Sequence, residues 1–167
     1  MNHDIDGVIE TRIEVHADER GSFAEIMRAT GFPEAFAQAN HSVSKAGVLR
    51  GLHYHVRQAD LWYVISGRAQ VALADLRTSQ ERRVRTLDLS CDSPQTLFIP
   101  KGVAHGFFAR TDVDLIYWVT HEYDPQDEHG IAWNDPFLAI PWQTSDPILS
   151  ARDSANQSLE WTTIPRF

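Results

Sequence analysis

Between Asn40 and Tyr123 the chain divides into short runs rich in Val, Ile, Leu, Thr and aromatic residues, with Gly, Pro, Ser and Asp clusters about every ten residues. The runs are HSVS, VLRGLHYH, LWYVISG, RAQVALADLR, RRVRTLDL, TLFIP, AHGFFA and DLIYWVTHEY. Many short strands at even spacing suit a sandwich, jelly roll or barrel. Ser66-Gly67-Arg68 reads as a hairpin turn and Asp92-Ser93-Pro94 as another break. Upstream, GVIETRIEV (7–15) alternates as a first strand, Asp18 to Gly21 makes a turn, and SFAEIM reads as a second strand. GFPEAFAQAN is the best candidate for a short helix. After Tyr123, YDPQDEHGIAWNDPFLAIPW is rich in Pro, Asp and Trp and is expected to wrap the barrel, and DPILSARDSANQSLEW is expected to include a short helix. With no repeat, low-complexity tract or linker, residues 1–167 read as one all-β domain.

A chain of 167 residues with 43% hydrophobic and 23% charged residues can bury a core without disulfide or metal staples. Its net charge of −8 argues against a nucleic-acid or anionic-membrane surface. An anionic substrate would therefore depend on local arginines. The single cysteine, Cys91, leaves no intrachain disulfide and suits a reducing compartment. No apolar run approaches the ~18 residues of a membrane span, and the polar start MNHDIDG is unlike a signal peptide. A cytosolic address is expected.

The chemistry concentrates between Gly47 and Gly67. His53 and His55 stand two apart in a strand, which puts both imidazoles on one face. In a closed β domain that face can be the lumen. A second piece, IPKGVAHGF, brings His105 after a Pro-x-Gly turn, and the two pieces read as opposite walls. The spacing is Gly47, five residues, His53-x-His55, four residues, Asp60, six residues, Gly67. It resembles the first cupin box, and PKGVAH resembles the second, with Asp60 for the usual Glu and Ala109 for the usual Asn. His53, His55, Asp60 and His105 would suit Fe, Mn, Ni, Co or Zn. The same residues equally read as hydrogen-bonded pocket histidines without a metal.

A metal-free reading uses His53 as a general base, made more basic by a carboxylate behind it. Tyr117, in DLIYWVT, is either an acid across the lumen or a packed wall residue. Arg20, Arg50 and Arg57 could hold phosphates bidentately. By simple alternation Arg50 faces away from His53, and it enters the pocket only if Gly51 carries a bulge. Trp62, Trp118, Trp133 and Trp142 read as core or interface, with a sugar or base platform as the other option. No Gly-rich phosphate loop, nucleophile elbow or Cys-x-x-Cys is present.

Along nearly its whole length the chain resembles the dTDP-4-dehydrorhamnose 3,5-epimerases, through DERGSFAE, QANHSVSKAGVLRGLHYH, VALADLR, LFIPKGVAHGFF, IYWVTHEYDPQDEHGIAWNDP, IPW and ILSARD. The resemblance implies a cupin-type jelly-roll barrel with short peripheral helices. It also implies a homodimer in which a strand of one subunit completes the other's site, and a dTDP-linked 4-keto-6-deoxy sugar as substrate. It assigns His53 as base, Asp153 as its partner and Tyr117 as general acid, without a cofactor. Arg20, Phe23, Glu25, Gln38, Asn40, Arg50, His105 and Tyr123 match positions that line the sugar-nucleotide site. The family reaction moves protons at C3 and C5, alpha to the C4 ketone. The chain departs from the pattern where the family has an enolate-holding lysine, seven residues before the strand-end glycine: Asp60 stands there, and His55 replaces a glutamine. Two other readings therefore stay open. One is a metal-dependent cupin enzyme holding one divalent ion, in which ligation and base catalysis compete for His53. The other is a sugar-nucleotide-binding protein without catalysis.

Overall fold

The computed structural model describes residues 4–77, 81–165 and 167. Its main body is two five-stranded antiparallel sheets. The first runs in the order β1 (Ile9–Arg12), β9 (Gln95–Ile99), β6 (Asp60–Ser66), β11 (Val113–Val119), β4 (Gln38–Ser44). The second runs β12 (His129–Gly130), β5 (Leu49–Tyr54), β10 (Val103–Ala109), β7 (Arg68–Asp75), β8 (Val84–Ser90). A separate hairpin pairs β2 (Val15–Asp18) with β3 (Gly21–Ala24). One α-helix, α1 (Ala151–Ala155), lies in the C-terminal segment, where a short helix is expected from the sequence.

The sheets face each other because each strand offers one apolar side to the space between them. Trp62, Val64, Leu97, Ile99 and Leu115 of the first sheet share one core with Val71, Leu73, Leu89, Val103 and Phe107 of the second. β7 is buried on both faces: Val71 and Leu73 point inward, while Ala72 and Ala74 join Leu52, Tyr54 and Ala104 on the outer face. Ile131, Leu138, Ile140, Trp142, Leu159 and Trp161 cover that outer face, so the segment after Tyr123 does wrap the barrel. Each aliphatic side chain so buried stabilises the fold by about 1.5–3 kcal/mol. The arrangement is the all-β jelly roll expected from the strand rhythm.

Five local expectations change. The segment read as a helix from Gly31 to Asn40 holds only the end of a 3-10 turn, Ala29–Gly31, then bends over 32–34 and leads into β4. Exposure alternates residue by residue from Phe32 to Asn40, a period of two, because Phe32 and Phe36 cover Phe98 on the outer face of the first sheet. The run 7–15 divides at Ile13 into β1 and β2, and SFAEIM is strand only as far as Ala24. Ser66-Gly67-Arg68 is a corner, not a hairpin: β6 and β7 belong to different sheets. Gly67 has φ +86°, and a Cβ there would lie 2.0 Å from the Asp112 carbonyl oxygen. Finally, the pieces carrying His53 and His105 are neighbours in one wall. β5 and β10 pair antiparallel with His53 opposite His105, and the facing wall is built by β6, β11 and β4.

Candidate active site

A cavity of about 400 Å³ opens between the sheets, lined by His53, His55 and His105 from the second sheet side and by Asp60, Trp62 and Tyr117 from the first. Its shape begins with a register fault. From His53 to Arg50 the chain takes three steps, while the partner strand takes two, from His105 to Phe107. Gly51 carries the extra residue at φ +124°, and a Cβ on it would meet Gly106 Cα at 2.7 Å. Only glycine fits such a bulge. The bulge brings Arg50 to the cavity together with His53, so the condition set by the sequence is met. The Arg50 guanidinium is held by Ser44 Oγ at 2.8 Å and the Val43 carbonyl at 3.1 Å.

His53 Nε2 lies 2.7 Å from Asp153 Oδ1, across one hundred residues of sequence. The short helix α1 positions the aspartate: Ser150 caps it, accepting from the Asp153 N–H at 3.0 Å. Burial alone would raise the Asp153 carboxyl. The hydrogen bond and charge of His53, with bonds from Ser150 and the Gly51 backbone, outweigh it and hold the group below its ordinary value. An ionised Asp153 accepts from Nε2–H, which leaves Nδ1 of a neutral His53 as the basic atom. Tyr117 projects from β11 in the other sheet. Burial, then the charges of Asp60 and Glu128, raise its phenol above the ordinary value against the opposing pull of Arg50, so it stays protonated at neutral pH.

A second imidazole–carboxylate group lies deeper. His55, Asp60 and His105 are all buried, and one potential ligand atom from each falls within 4.8 Å of the others. His53 is not in that group; its Nε2 is committed to Asp153. His55 donates Nδ1–H to the Asp127 carbonyl at 2.8 Å, and His105 donates Nδ1–H to the Val103 carbonyl at 2.9 Å. Asp60 accepts from Gln58 Nε2 at 2.8 Å and Trp62 Nε1 at 3.1 Å, with His105 Nε2 at 3.8 Å. Burial pushes the His105 imidazole down to about 4, although Asp60 pulls the other way. Asp127 fixes the turn before Asp60 by accepting from the backbone N–H groups of Val56, Arg57 and Gln58.

Gln38, Asn40 and Tyr123 line the same cavity, and Gln38 ties them together. Its Nε2 donates to Asn40 Oδ1 at 2.7 Å and its Oε1 accepts from the Tyr123 N–H at 3.0 Å. Arg20, Phe23 and Glu25 are not brought to this cavity. Arg20 and Phe23 flank a shallow concavity on the β2–β3 hairpin, Arg20 pairs with Asp18 at 2.6 Å, and Glu25 pairs with Arg28 at 2.9 Å. Arg57 sits outside, ion-paired with Asp124. Sequence reasoning missed Gln58, the role of Trp62 as a donor to Asp60, and the Glu128–Arg152 ion pair of 2.7 Å at the rim. The spacing of Gln58, Asp60 and Trp62, each two apart, is the signal that marks one face of a strand. Ser150-x-x-Asp153 is likewise a helix-start pattern.

Residues 2–160 match the family model described as dTDP-4-dehydrorhamnose 3,5-epimerase. The chain is 41% identical over 147 residues to the spore coat polysaccharide biosynthesis protein SpsL of Bacillus subtilis, covering 84% of this chain and 97% of that protein. It is 38% identical over 164 residues to the dTDP-4-dehydrorhamnose 3,5-epimerase of Escherichia coli, covering 90% and 88%. Among solved structures, it is similar to the dTDP-6-deoxy-D-glucose-3,5-epimerase RmlC of Legionella pneumophila in complex with dTDP-4-keto-L-rhamnose. The TM-score is 0.89 with 32% identity, over 100% of this chain and 97% of that one. With a family model spanning nearly every residue and relatives 41% and 38% identical across most of their length, the chain belongs to the dTDP-4-dehydrorhamnose 3,5-epimerase family.

Proposed function

We infer that the protein is an isomerase that epimerises a dTDP-4-keto-6-deoxy sugar by removing and returning protons alpha to the C4 ketone. The observation that carries this reading is the 2.7 Å His53–Asp153 pair opening onto the same cavity as a protonated Tyr117 from the facing sheet. His53 Nδ1 takes the proton from C3 or C5, and the C–H electron pair moves to the C4 oxygen as an enolate. Asp153 keeps the ring in the right tautomer and balances the imidazolium. The Tyr117 hydroxyl then delivers a proton to the opposite face of the carbanion carbon, which inverts the centre. Tyr117 regains its proton from solvent as His53 loses the one it gained. These steps use side chains of the chain itself and no organic cofactor.

Arg50, Gln38, Asn40 and Tyr123 in the cavity suit the nucleotide end of the substrate. The hairpin of β2 and β3 supports a homodimer: Phe23 is 69% exposed, and Arg20 has no contact with its own cavity. In the dimer the hairpin would lend Arg20 and Phe23 to the neighbouring site. Among the described residues no helix is long and apolar enough to cross a membrane.

Incubation with dTDP-4-keto-6-deoxy-D-glucose in heavy water, followed by NMR, tests the reading. Deuterium is expected at C3, C5 or both, with an inverted product. A sugar recovered unlabelled, although it binds, would leave a binding protein and overturn the enzyme.

A further inference from the structure

An enolate at C4 needs positive charge or hydrogen-bond donors beside it, and this cavity is short of positive charge. Four carboxylates line it, those of Asp60, Asp124, Glu128 and Asp153, against two arginines, Arg50 and Arg152. Arg152 is already paired with Glu128, and no lysine is among the described residues of the lining. Asp153 has His53, and Asp124 has Arg57. Asp60 is different: it is 3% exposed, and its hydrogen-bond donors are the neutral Gln58 and Trp62. Facing it are two imidazoles whose Nδ1–H groups are spent on backbone carbonyls. Each therefore presents a free Nε2 lone pair. That is the arrangement by which outer partners fix the tautomer of metal-binding histidines.

We propose that His55, Asp60 and His105 bind one divalent first-row transition-metal ion, whose open position faces the cavity and sets positive charge beside the C4 oxygen. The role beside C4 rests on the epimerase reading; the binding itself does not. Two imidazoles and a carboxylate form a ligand set used for zinc and for iron, with vacant positions for a carbonyl oxygen. A ligand spread of up to 4.8 Å must contract for bonds of about 2.0–2.2 Å. The carboxylate keeps enough lone pairs to ligate while still accepting from Gln58 and Trp62. Because the site excludes His53, ligation and base catalysis do not compete for one ring. The ion acts as a Lewis acid; no electron is transferred.

The test uses the full chain without an affinity tag, stripped by chelator and titrated with cobalt(II). Bound cobalt is followed by its visible absorption and by elemental analysis, and exchange is followed in heavy water. One equivalent of cobalt is expected, with saturable absorption that persists in His53→Asn and is lost in His55→Gln. Asp60→Asn serves as a second ligand variant, and thermal unfolding verifies that each variant is folded. Absence of saturable cobalt absorption, or equal binding by wild type and His55→Gln, overturns the site. Exchange at full rate in the stripped protein overturns the charge-supplying role and leaves the epimerase reading standing. Cobalt bound without exchange in any metal state supports the site and sinks the epimerase reading instead.

Discussion

The cavity holds two imidazole–carboxylate groups, and they differ in what the second ring nitrogen touches. In His53–Asp153 the carboxylate takes Nε2–H directly at 2.7 Å, and the ring lines the cavity. In His55–Asp60–His105 the backbone takes Nδ1–H from both rings, and the closest of these imidazoles to the carboxylate is 3.8 Å away. On the proposed reading, the first group gains and loses a proton. The second has its protons tied down and its lone pairs turned inward. Identical residue types thus acquire different chemistry from their hydrogen-bond partners, and the backbone decides which nitrogen is left over.

The largest expected effect breaks the first group. His53→Asn should lower exchange and epimerisation by about 10³-fold or more, within the range for a lost general base. A loss below tenfold would move the base to another residue and erase the contrast. Asp153→Asn should follow with about a 10²-fold drop in kcat, because the ring loses its fixed tautomer while its position in the strand is kept. Steady-state kinetics should show KM little changed, since the aspartate is not expected to touch substrate. Tyr117→Phe should reduce inverted product by about 10²-fold while deuterium exchange declines less. Without the opposite acid, His53 can return a solvent-derived proton to the face it came from. Parallel loss of exchange and inversion would place Tyr117 before the first proton transfer.

The smallest effect is a pH dependence of stability. A carboxyl held low in the folded chain stabilises it above the unfolded value, about 3.9, and that stabilisation disappears as pH falls through the lower folded value. Asp153 is such a group. The stability gap between wild type and Asp153→Asn, measured by urea unfolding, should be present at about pH 5 and should close below about pH 4. A gap that widened in acid would mean that the aspartate is protonated in the native pair.

The strand rhythm after Asn40 made the all-β architecture readable, because alternation and turn residues are local properties of a chain with one buried face. His53 and His55 were readable as neighbours on one strand for the same reason. GFPEAFAQAN was misread because its apolar residues fit a helix by composition, and only Phe98 on the sheet beneath shows why Phe32 and Phe36 alternate as a cover. The hairpin reading of Ser66-Gly67-Arg68 failed because a turn residue marks a change of direction without saying which sheet receives the next strand.

The sequence by itself determined the strand count around the site, the types of acid and base available, and the family to which they belong. Those follow from side-chain period and residue identity. Tertiary structure alone decided that β5 and β10 are neighbours, and that a bulge at Gly51 brings Arg50 to the cavity. It also decided that Asp60 keeps company with His55 and His105 and not with His53, whereas the Asp153–His53 pairing was already implied by the family resemblance and the fold supplies its 2.7 Å contact. The physical reason is that each ring has two nitrogens, and which one is free depends on carbonyls and carboxylates delivered from strands far away in the chain.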